Sequence, residues 1–260
     1  MPTVHSTALV DPKAQLAKDV TVGPYTMIGP QVHVGAGTTI GAHVVLEGRT
    51  TVGARCRIFS GAVLGAVTQD RKFKGQPGLV RVGDDTTIRE YVTIHAGTEE
   101  GSTTQVGRGN FIMAYAHIAH DCIVGNQCVI ANAASFGGHV TLEDRVTIGG
   151  LVGVHQFVRI GRLAIVGGCS KVVQDVVPFA LCDGHPARVH GLNVIGLRRA
   201  GITPPARRQI QGAFRLLFAD GLSTAHALKR VKDRAGTSPE IQHLVSFIRQ
   251  SKRGFCRGQR

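Results

Sequence analysis

Tryptophan is absent from the 260 residues, and aromatic side chains are limited to 10 Phe and 3 Tyr, so neither an aromatic-rich core nor a platform for stacking nucleic-acid bases is expected. No apolar run approaches the roughly 20 residues that span a bilayer. The N-terminus, from Met1 to His5, lacks the basic and apolar regions of a secretory signal peptide. The 6 cysteines form no CxxC pair, which is typical of reduced thiols. These absences favour a cytoplasmic protein with no membrane span.

Acidic residues are scarce only in the last part of the chain. Residues 1–184 carry 15 basic and 14 acidic side chains, whereas residues 185–260 carry 15 basic and 3 acidic ones. Of the net charge of +13, the second part therefore holds +12. Such a segment suits an acidic partner, a phosphate-bearing ligand or nucleic acid, and the alternative interpretation is a solvated helical surface.

What the sequence has in excess is glycine, with 34 residues, and a repeat of six. Steps of six from Val4 to Val172 visit 29 positions, of which 26 are aliphatic or Phe. This period fits neither an amphipathic helix nor strand alternation, but it fits hexapeptide β-helix coils. Each hexad forms a short strand and a corner, with the aliphatic residue inward and glycine or small residues letting the backbone turn. The sequence therefore predicts a mainly β protein with a parallel β-helix over residues 1–190, and helices of this architecture are left-handed.

The exceptions to the repeat are Asp70, Gln76 and Glu100, which lie in polar stretches. They predict external loops at about 68–80 and 97–105. Long loops inside a repeat are usually functional or disordered.

The period fails at Pro178, and helix signals follow. Pro204-Pro205 precedes a first helical pattern that Gly221 ends, Ser223 caps a second, and Ser238-Pro239 begins a third. The apolar residues at helical spacing are Ile210, Phe214, Leu217 and Phe218, then Ala227, Leu228 and Val231, then Ile241, Leu244, Val245 and Ile248. The sequence predicts a small basic α-helical domain over residues 191–260.

Four of the 12 histidines converge on one predicted face. Residues about 18 apart lie on the same face of adjacent coils, roughly 4.8 Å from one another. By this arithmetic His120, His139 and His155 share a face, and His117 lies at the corner leading into it. Such a cluster suits metal binding, as in zinc carbonic anhydrases with hexapeptide repeats, general-base catalysis, or a purely structural scaffold. Spacing alone leaves these three open.

The segments around these histidines resemble the UDP-N-acetylglucosamine acyltransferases, which carry out the first acylation of lipid A biosynthesis. The active-site motif of that family is similar to AHIAHDC at residues 116–122. Further similar segments are GGHV at 137–140, VHQF at 154–157, GGCS at 167–170, QDRKF at 69–73, IRE at 88–90, TIH at 93–95, GLRR at 196–199 and SKRGF at 251–255. The resemblance covers essentially the whole chain and supports the left-handed β-helix.

The resemblance implies catalytic roles for residues at the corner after His117. His120 would be the general base that removes a proton from the sugar 3-hydroxyl as it attacks a 3-hydroxyacyl thioester. Asp121 would orient His120 and stabilise its imidazolium. Gly138 would supply the backbone donor for the oxyanion. The acyl donor would be acyl carrier protein through its phosphopantetheine, with no other cofactor and no metal.

The resemblance also implies substrate-binding residues. Asp70 and Lys72 would reach across a subunit boundary of a homotrimer to the acceptor sugar and acyl chain. Asn193 and Arg199 would contact the uridine and diphosphate of the acceptor. The residues implied to bind donor or nucleotide groups are His117, His139, His155 and Gln156. The basic C-terminal part would attract the acidic carrier protein.

Three positions bear on specificity. Ile195 stands where the family often has Glu, and His185 where Asn is common, so nucleotide recognition is expected to differ there. Gly168 matches a site where a bulkier residue blocks the acyl groove, which predicts a longer acyl chain. The choice between a 3-hydroxyl and a 3-amino acceptor stays open.

Other functions compete with this interpretation. An acetyl-CoA-dependent acetyltransferase fits the loop at Gln69–Gly75 less well. A zinc carbonic anhydrase would hold metal, and a non-catalytic basic scaffold or nucleic-acid binder would retain its affinity without His120.

Overall fold

Three parallel sheets form the walls of a β-helix in a computed structural model that describes residues 1–218, 222–234 and 238–258. The first sheet contains β1 (Thr3–Val4), β4 (Thr21–Val22), β7 (Thr39–Ile40), β10 (Arg57–Ile58), β13 (Thr87–Ile88), β16 (Phe111–Ile112), β19 (Val129–Ile130), β22 (Thr147–Ile148), β25 (Ile165–Val166), β27 (Ala180–Gly184) and β28 (Ala187–Leu192). The second contains β2 (Leu9–Val10), β5 (Met27–Ile28), β8 (Val45–Leu46), β11 (Val63–Ala66), β14 (Thr93–His95), β17 (His117–Ile118), β20 (Ser135–Phe136), β23 (Gly153–Val154) and β26 (Lys171–Val172). The third contains β3 (Gln15–Leu16), β6 (His33–Val34), β9 (Arg49–Val52), β12 (Leu79–Val82), β15 (Thr103–Val106), β18 (Ile123–Val124), β21 (Thr141–Leu142) and β24 (Arg159–Ile160).

The second residue of almost every strand in these coils points inward. Ile112, Ile130 and Ile148 stack in register through three coils of the first sheet and have no exposed surface. Full burial of such a side chain stabilises a fold by about 1.5–3 kcal/mol. The repeat of six therefore specifies the core directly, as predicted.

Glycine serves two purposes, of which only one was expected: Gly37, Gly61 and Gly109 turn the chain with positive φ, as predicted. The corners turn through single residues with positive φ, and many of these are large side chains such as Tyr25 and Arg55. The glycines after the aliphatic residues instead face the next coil: a Cβ on Gly35 would lie 2.5 Å from the carbonyl carbon of Gly53. Close approach of successive coils, rather than turning, requires glycine there.

Two insertions lengthen single coils by whole hexads, which explains why the repeat keeps one phase along the chain. Most paired residues are three hexads apart, as Ile40 and Ile58 are. Val52, however, pairs with Val82, two hexads further on than usual, and Val82 pairs with Val106, one hexad further on than usual. The insertions leave the wall as predicted but end earlier than 80 and 105, because β12 and β15 extend to four residues each to pair with one another.

The remaining part of the chain is mainly helical: α1 (Val194–Arg199), α2 (Pro204–Phe218), α3 (Thr224–Arg234) and α4 (Pro239–Arg249). The cap at Ser238 is confirmed, since its hydroxyl accepts from the Ile241 N–H at 3.4 Å, and Ser223 accepts from His226 N–H at 3.4 Å. Gly221, predicted to end α2, lies outside the described residues. None of the described helices is long and apolar enough to cross a membrane.

The sequence did not indicate α1 or the antiparallel pair β27–β28. The chain also returns to the β-helix at its end, where Phe255 bridges Asp175 and Gly258 bridges Val189. The division of the chain at residue 190 stays a prediction.

Candidate active site

One corner of the β-helix carries the predicted chemistry. We call it the histidine corner; it joins the second sheet to the third at residues 119–122, 137–140 and 155–158 of successive coils. Both insertions leave the wall at this same corner, between β11 and β12 and between β14 and β15. The prediction that these coils share a face is confirmed by β17, β20 and β23, which are neighbours in the second sheet. The prediction that His117 lies at a corner is wrong: His117 is on strand β17, and the corner that follows the strands carries His120, His139 and His155.

His120 and Asp121 form a buried pair at this corner. The Nδ1 atom of His120 lies 2.9 Å from Oδ2 of Asp121, and their side chains are only 7% and 9% exposed. An ionised carboxylate only accepts hydrogen bonds, so the proton of a neutral His120 is on Nδ1 and the lone pair is on Nε2. The pair therefore presents Nε2 as a base.

Asp121 is held by hydrogen bonds from the second insertion and from the preceding coil. Thr98 donates to its Oδ2 atom from the hydroxyl at 2.7 Å and from the backbone N–H at 3.2 Å. Thr104 accepts from the Asp121 N–H at 2.8 Å. Burial raises the pKa of the Asp121 carboxyl, but hydrogen bonds from Thr98, His120 and Ser102 outweigh burial and hold this pKa below its ordinary value. The carboxylate is thus ionised at neutral pH.

Gly138 lies against the His120 ring. A Cβ at this position would overlap the ring atoms Cε1 and Nε2 of His120, so no larger residue fits. Among the residues that the structure describes, the Gly138 N–H donates to no partner, while its carbonyl accepts from the Phe157 N–H at 3.1 Å. A free backbone donor next to the base is the arrangement that an oxyanion requires.

Sequence reasoning did not assign a role to His95, although it belongs to the same cluster. Its ring centroid lies 4.9 Å from that of His117 in an edge contact, and burial, with His120 as a smaller cause, lowers its pKa. Burial lowers the pKa of His117 to about 4, with smaller contributions from His95 and His120. His117 Nδ1 also lies 2.7 Å from the Thr93 hydroxyl. Both histidines are therefore neutral at pH 7.

The signal for His95 was present in the sequence. Thr93 pairs with His117, four hexads on rather than three, because the second insertion adds one hexad to this coil. Coil arithmetic that included this insertion would have placed His95 opposite Ala119, between His117 and His120.

His139 connects the base to the next coil. Its ring makes an edge contact with His120, with centroids 5.1 Å apart, and stacks on Phe157 at 4.6 Å. Its Nε2 atom lies 3.9 Å from Oδ2 of Asp121. His155, one coil further, has its Nδ1 3.2 Å from the Gln156 carbonyl oxygen.

A cavity of about 730 Å³ opens beside this cluster. The predicted site residues that line it are Asp70, Lys72, His117, His120, Gly138, His155 and Gln156. Asp70 and Lys72 come from the first insertion of the same chain, so a subunit boundary is not required to bring them to the His120 cavity. Arg71 and Lys171 add two further cationic groups to its lining.

Comparison with known proteins agrees with this geometry. A family model described as Udp N-acetylglucosamine O-acyltransferase, domain 2, matches residues 175–256, and one described as bacterial transferase hexapeptide (six repeats) matches residues 103–138. An acyl-[acyl-carrier-protein]–UDP-N-acetylglucosamine O-acyltransferase of Alkalilimnicola ehrlichii is 50% identical over 258 residues, 99% of this chain and 100% of its own. One of Thiobacillus denitrificans is 47% identical over the same shares. The chain belongs to the UDP-N-acetylglucosamine O-acyltransferase family.

Structural similarity to this family extends over the whole chain. The UDP-N-acetylglucosamine O-acyltransferase of Moraxella catarrhalis matches with a TM-score of 0.94 at 39% identity, covering 98% of this chain and 99% of its own. The predicted left-handed parallel β-helix of hexapeptide repeats is confirmed, and the protein is an acyltransferase by family.

Three predicted site residues lie away from the His120 cavity. Asn193 instead caps α1: its Oδ1 accepts from the Gly196 N–H at 2.9 Å and its Nδ2 donates to the Leu163 carbonyl at 2.9 Å. Arg199 is exposed in the last turn of α1. Gly168 lies at the corner between the first and second sheets, where a Cβ would be 3.3 Å from the Gly150 carbonyl oxygen. The roles implied for these residues in this UDP-N-acetylglucosamine O-acyltransferase family member stay predictions.

Among the described residues, one group of side chains could bind a metal ion. His120, Asp121 and His139 offer ligand atoms within 4.8 Å of one another. However, His120 Nδ1 already donates to Asp121, and a metal on that carboxylate oxygen would replace the hydrogen bond. The geometry therefore favours a hydrogen-bonded base over a metal centre.

Proposed function

We propose that this protein transfers a 3-hydroxyacyl chain from acyl carrier protein to the 3-hydroxyl of UDP-N-acetylglucosamine, the first step of lipid A biosynthesis, in the cytoplasm. The observation that carries the proposal is the His120–Asp121 pair. His120 lines the cavity, and its hydrogen bond to Asp121 through Nδ1 leaves Nε2 free to accept a proton. Family membership supplies the class of reaction.

The first step moves a proton to His120. Nε2 accepts the proton of the sugar 3-hydroxyl while the hydroxyl oxygen attacks the thioester carbonyl carbon. The imidazolium that forms is stabilised by the ionised Asp121, which lies 2.9 Å from Nδ1. A positioned base of this kind contributes about 10²–10⁴-fold to rate.

The second step collapses the tetrahedral intermediate. The Gly138 N–H is the donor for its oxyanion, and the carbon–sulfur bond then breaks as the ester carbonyl forms. The pantetheine sulfur leaves with the proton that His120 holds, which restores the neutral imidazole. No covalent acyl-enzyme is needed, because the thioester is already activated.

Substrate binding uses the rest of the cavity and residues beyond it. Asp70 and Lys72 contact the acceptor sugar and the acyl chain. Asn193 and Arg199 contact the uridine and diphosphate, and Gly168 leaves the acyl groove open for a longer chain. The side chains that bind donor or nucleotide groups are His117, His139, His155 and Gln156.

The carrier protein docks through the C-terminal part of the chain. A groove of about 1410 Å³ between β28, α1 and α2 is lined by Arg198, Arg207, Arg208, Arg215 and Arg257. In the described part of the chain, none of these arginines forms an ion pair with a carboxylate. A cationic groove attracts an acidic protein and speeds its association. We infer no cofactor beyond the phosphopantetheine that the acyl donor carries. We also infer that the protein is a homotrimer with active sites between subunits.

The test is a direct assay. Purified protein is incubated with UDP-N-acetylglucosamine and a panel of 3-hydroxyacyl carrier proteins of graded chain length, and products are identified by mass spectrometry. One acylated nucleotide sugar is expected. His120→Asn should slow its formation about 10²–10⁴-fold, while His33→Gln, at an exposed position of the third sheet, should not slow it. If no acylated product forms with either the 3-hydroxyl or the 3-amino acceptor, the proposal is overturned.

A second candidate is metal-dependent hydration of carbon dioxide, favoured only by the three ligand atoms at His120, Asp121 and His139. Protein purified without chelator and analysed for metals separates the two. We expect less than stoichiometric zinc and unchanged acyltransfer after dialysis against chelator; stoichiometric zinc with loss of activity would favour the second candidate.

A further inference from the structure

The segment between β14 and β15, residues 96–102, delivers the Thr98 side chain to the catalytic pair, and its Ser102 side chain also hydrogen-bonds Asp121. Thr98 donates two hydrogen bonds to Oδ2 of Asp121, from its hydroxyl at 2.7 Å and from its backbone N–H at 3.2 Å. The same oxygen accepts from His120 Nδ1 at 2.9 Å. The hydroxyl contact is the shortest of the three, although Thr98 is distant from Asp121 in the sequence.

The segment is built to fix Thr98 in place. The Glu99 N–H donates to the Ser102 hydroxyl at 2.9 Å and the Ser102 N–H to the Glu99 carbonyl at 3.0 Å, which closes the segment on itself. A Cβ on Gly97 would collide with Ser102, so glycine is required for this closure. The Gly101 N–H donates to the Pro77 carbonyl at 3.3 Å, which ties the segment to the first insertion.

Without Thr98, Asp121 would have a competing partner. The Nε2 atom of His139 lies 3.9 Å from the same carboxylate oxygen. A small rotation of the carboxylate would exchange the hydrogen bond to His120 for one to His139, and the His120 ring would lose the contact that sets its orientation. The two donors of Thr98 oppose this rotation because they hold Oδ2 from the second insertion, independently of both histidines.

We propose that Thr98 is a positioning residue of the acyl transfer, acting through Asp121 on the orientation of His120. This inference rests on the proposed function. It explains why the repeat is interrupted at this coil. The inserted hexad places the Thr98 hydroxyl against the Asp121 carboxylate, and a corner without the insertion has no residue to supply that hydroxyl.

The test compares Thr98→Val, which keeps the shape and removes the hydroxyl, with Thr98→Ser, which keeps the hydroxyl. We expect Thr98→Val to lower kcat roughly 10- to 100-fold with KM for both substrates changed less than about 2-fold, because one strong hydrogen bond is lost outside the substrate sites. Thr98→Ser should restore most of kcat. The matched control is Thr103→Val, since the Thr103 hydroxyl donates only to the Gly101 carbonyl at 3.4 Å in the described structure.

A double variant with Asp121 separates positioning from a general loss of structure. In an Asp121→Asn background, Thr98→Val should have almost no further effect on kcat. Unchanged kcat in Thr98→Val, equal losses in Thr98→Ser, or full additivity with Asp121→Asn would overturn the inference. A wild-type protein without acyltransfer activity would instead contradict the proposed function.

Discussion

A Cβ at Gly138 would occupy the space of the His120 imidazole, so the backbone at position 138 and the His120 ring are in contact without any intervening side chain. We expect Gly138→Ala to displace the ring or the backbone donor and to lower kcat about 100-fold, the loss typical of an oxyanion donor. The matched control is Gly153→Ala in the same cavity, where a Cβ would meet no atom within 4 Å. Equal activity of the two variants in the acyltransfer assay would contradict this role of Gly138.

The hydrogen bond between His120 and Asp121 predicts that substitution of either residue lowers kcat. His120→Asn removes the base and should lower kcat about 10²–10⁴-fold. Asp121→Asn should also lower kcat strongly, because an amide accepts less well than a carboxylate and no longer stabilises the imidazolium. Both should keep KM near the wild-type value and retain the wild-type melting temperature within a few degrees. A His120→Asn enzyme with substantial kcat would show that another group is the base.

The buried His117 predicts a loss of stability as pH falls. Its folded-state pKa of about 4 lies below the ordinary value of 6.5, so the unfolded chain binds this proton first. The stabilisation by neutral His117 is complete above about pH 6.5 and is lost progressively as pH falls toward 4.

The melting temperature should therefore drop between pH 7 and pH 5, and the drop should be smaller in His117→Gln, measured by thermal unfolding. The exposed His33 offers the control, since His33→Gln should leave the pH dependence unchanged. A drop of the same size in wild type and His117→Gln would contradict the assignment.

Acyl-chain length is predicted to depend on Gly168. Gly168→Met should shift donor preference to shorter chains, because a long side chain would close the groove. The adjacent Cys169 is exposed at the same corner, and Cys169→Met should leave the preference in place. The acyl-chain lengths of the products are measured by mass spectrometry. An unchanged preference for chain length in Gly168→Met would show that Gly168 does not limit the length of the acyl chain.

The fold could be predicted well from sequence because one periodicity carries it. Outside the two insertions, each sixth residue from Val4 to Val172 meets its neighbours in adjacent coils, and insertions of two hexads and of one hexad preserve that phase. The hairpin β27–β28 and the helix α1 were missed, since neither is long enough to show a period. The reason for the glycines after the aliphatic residues was also misjudged, because a contact between coils such as Gly35 with Gly53 joins residues three hexads apart.

The sequence by itself determined the β-helix and its histidine face, because hexad spacing converts directly into position along one wall, and the family resemblance indicated the pair His120–Asp121. Only the tertiary structure decided what surrounds that pair. Thr98 reaches Asp121 from a segment that leaves the wall, and the closeness of the Gly138 backbone to the His120 ring depends on the spacing of two coils. Contacts of this kind depend on the path of inserted loops and on distances between coils, which no local pattern of residues encodes.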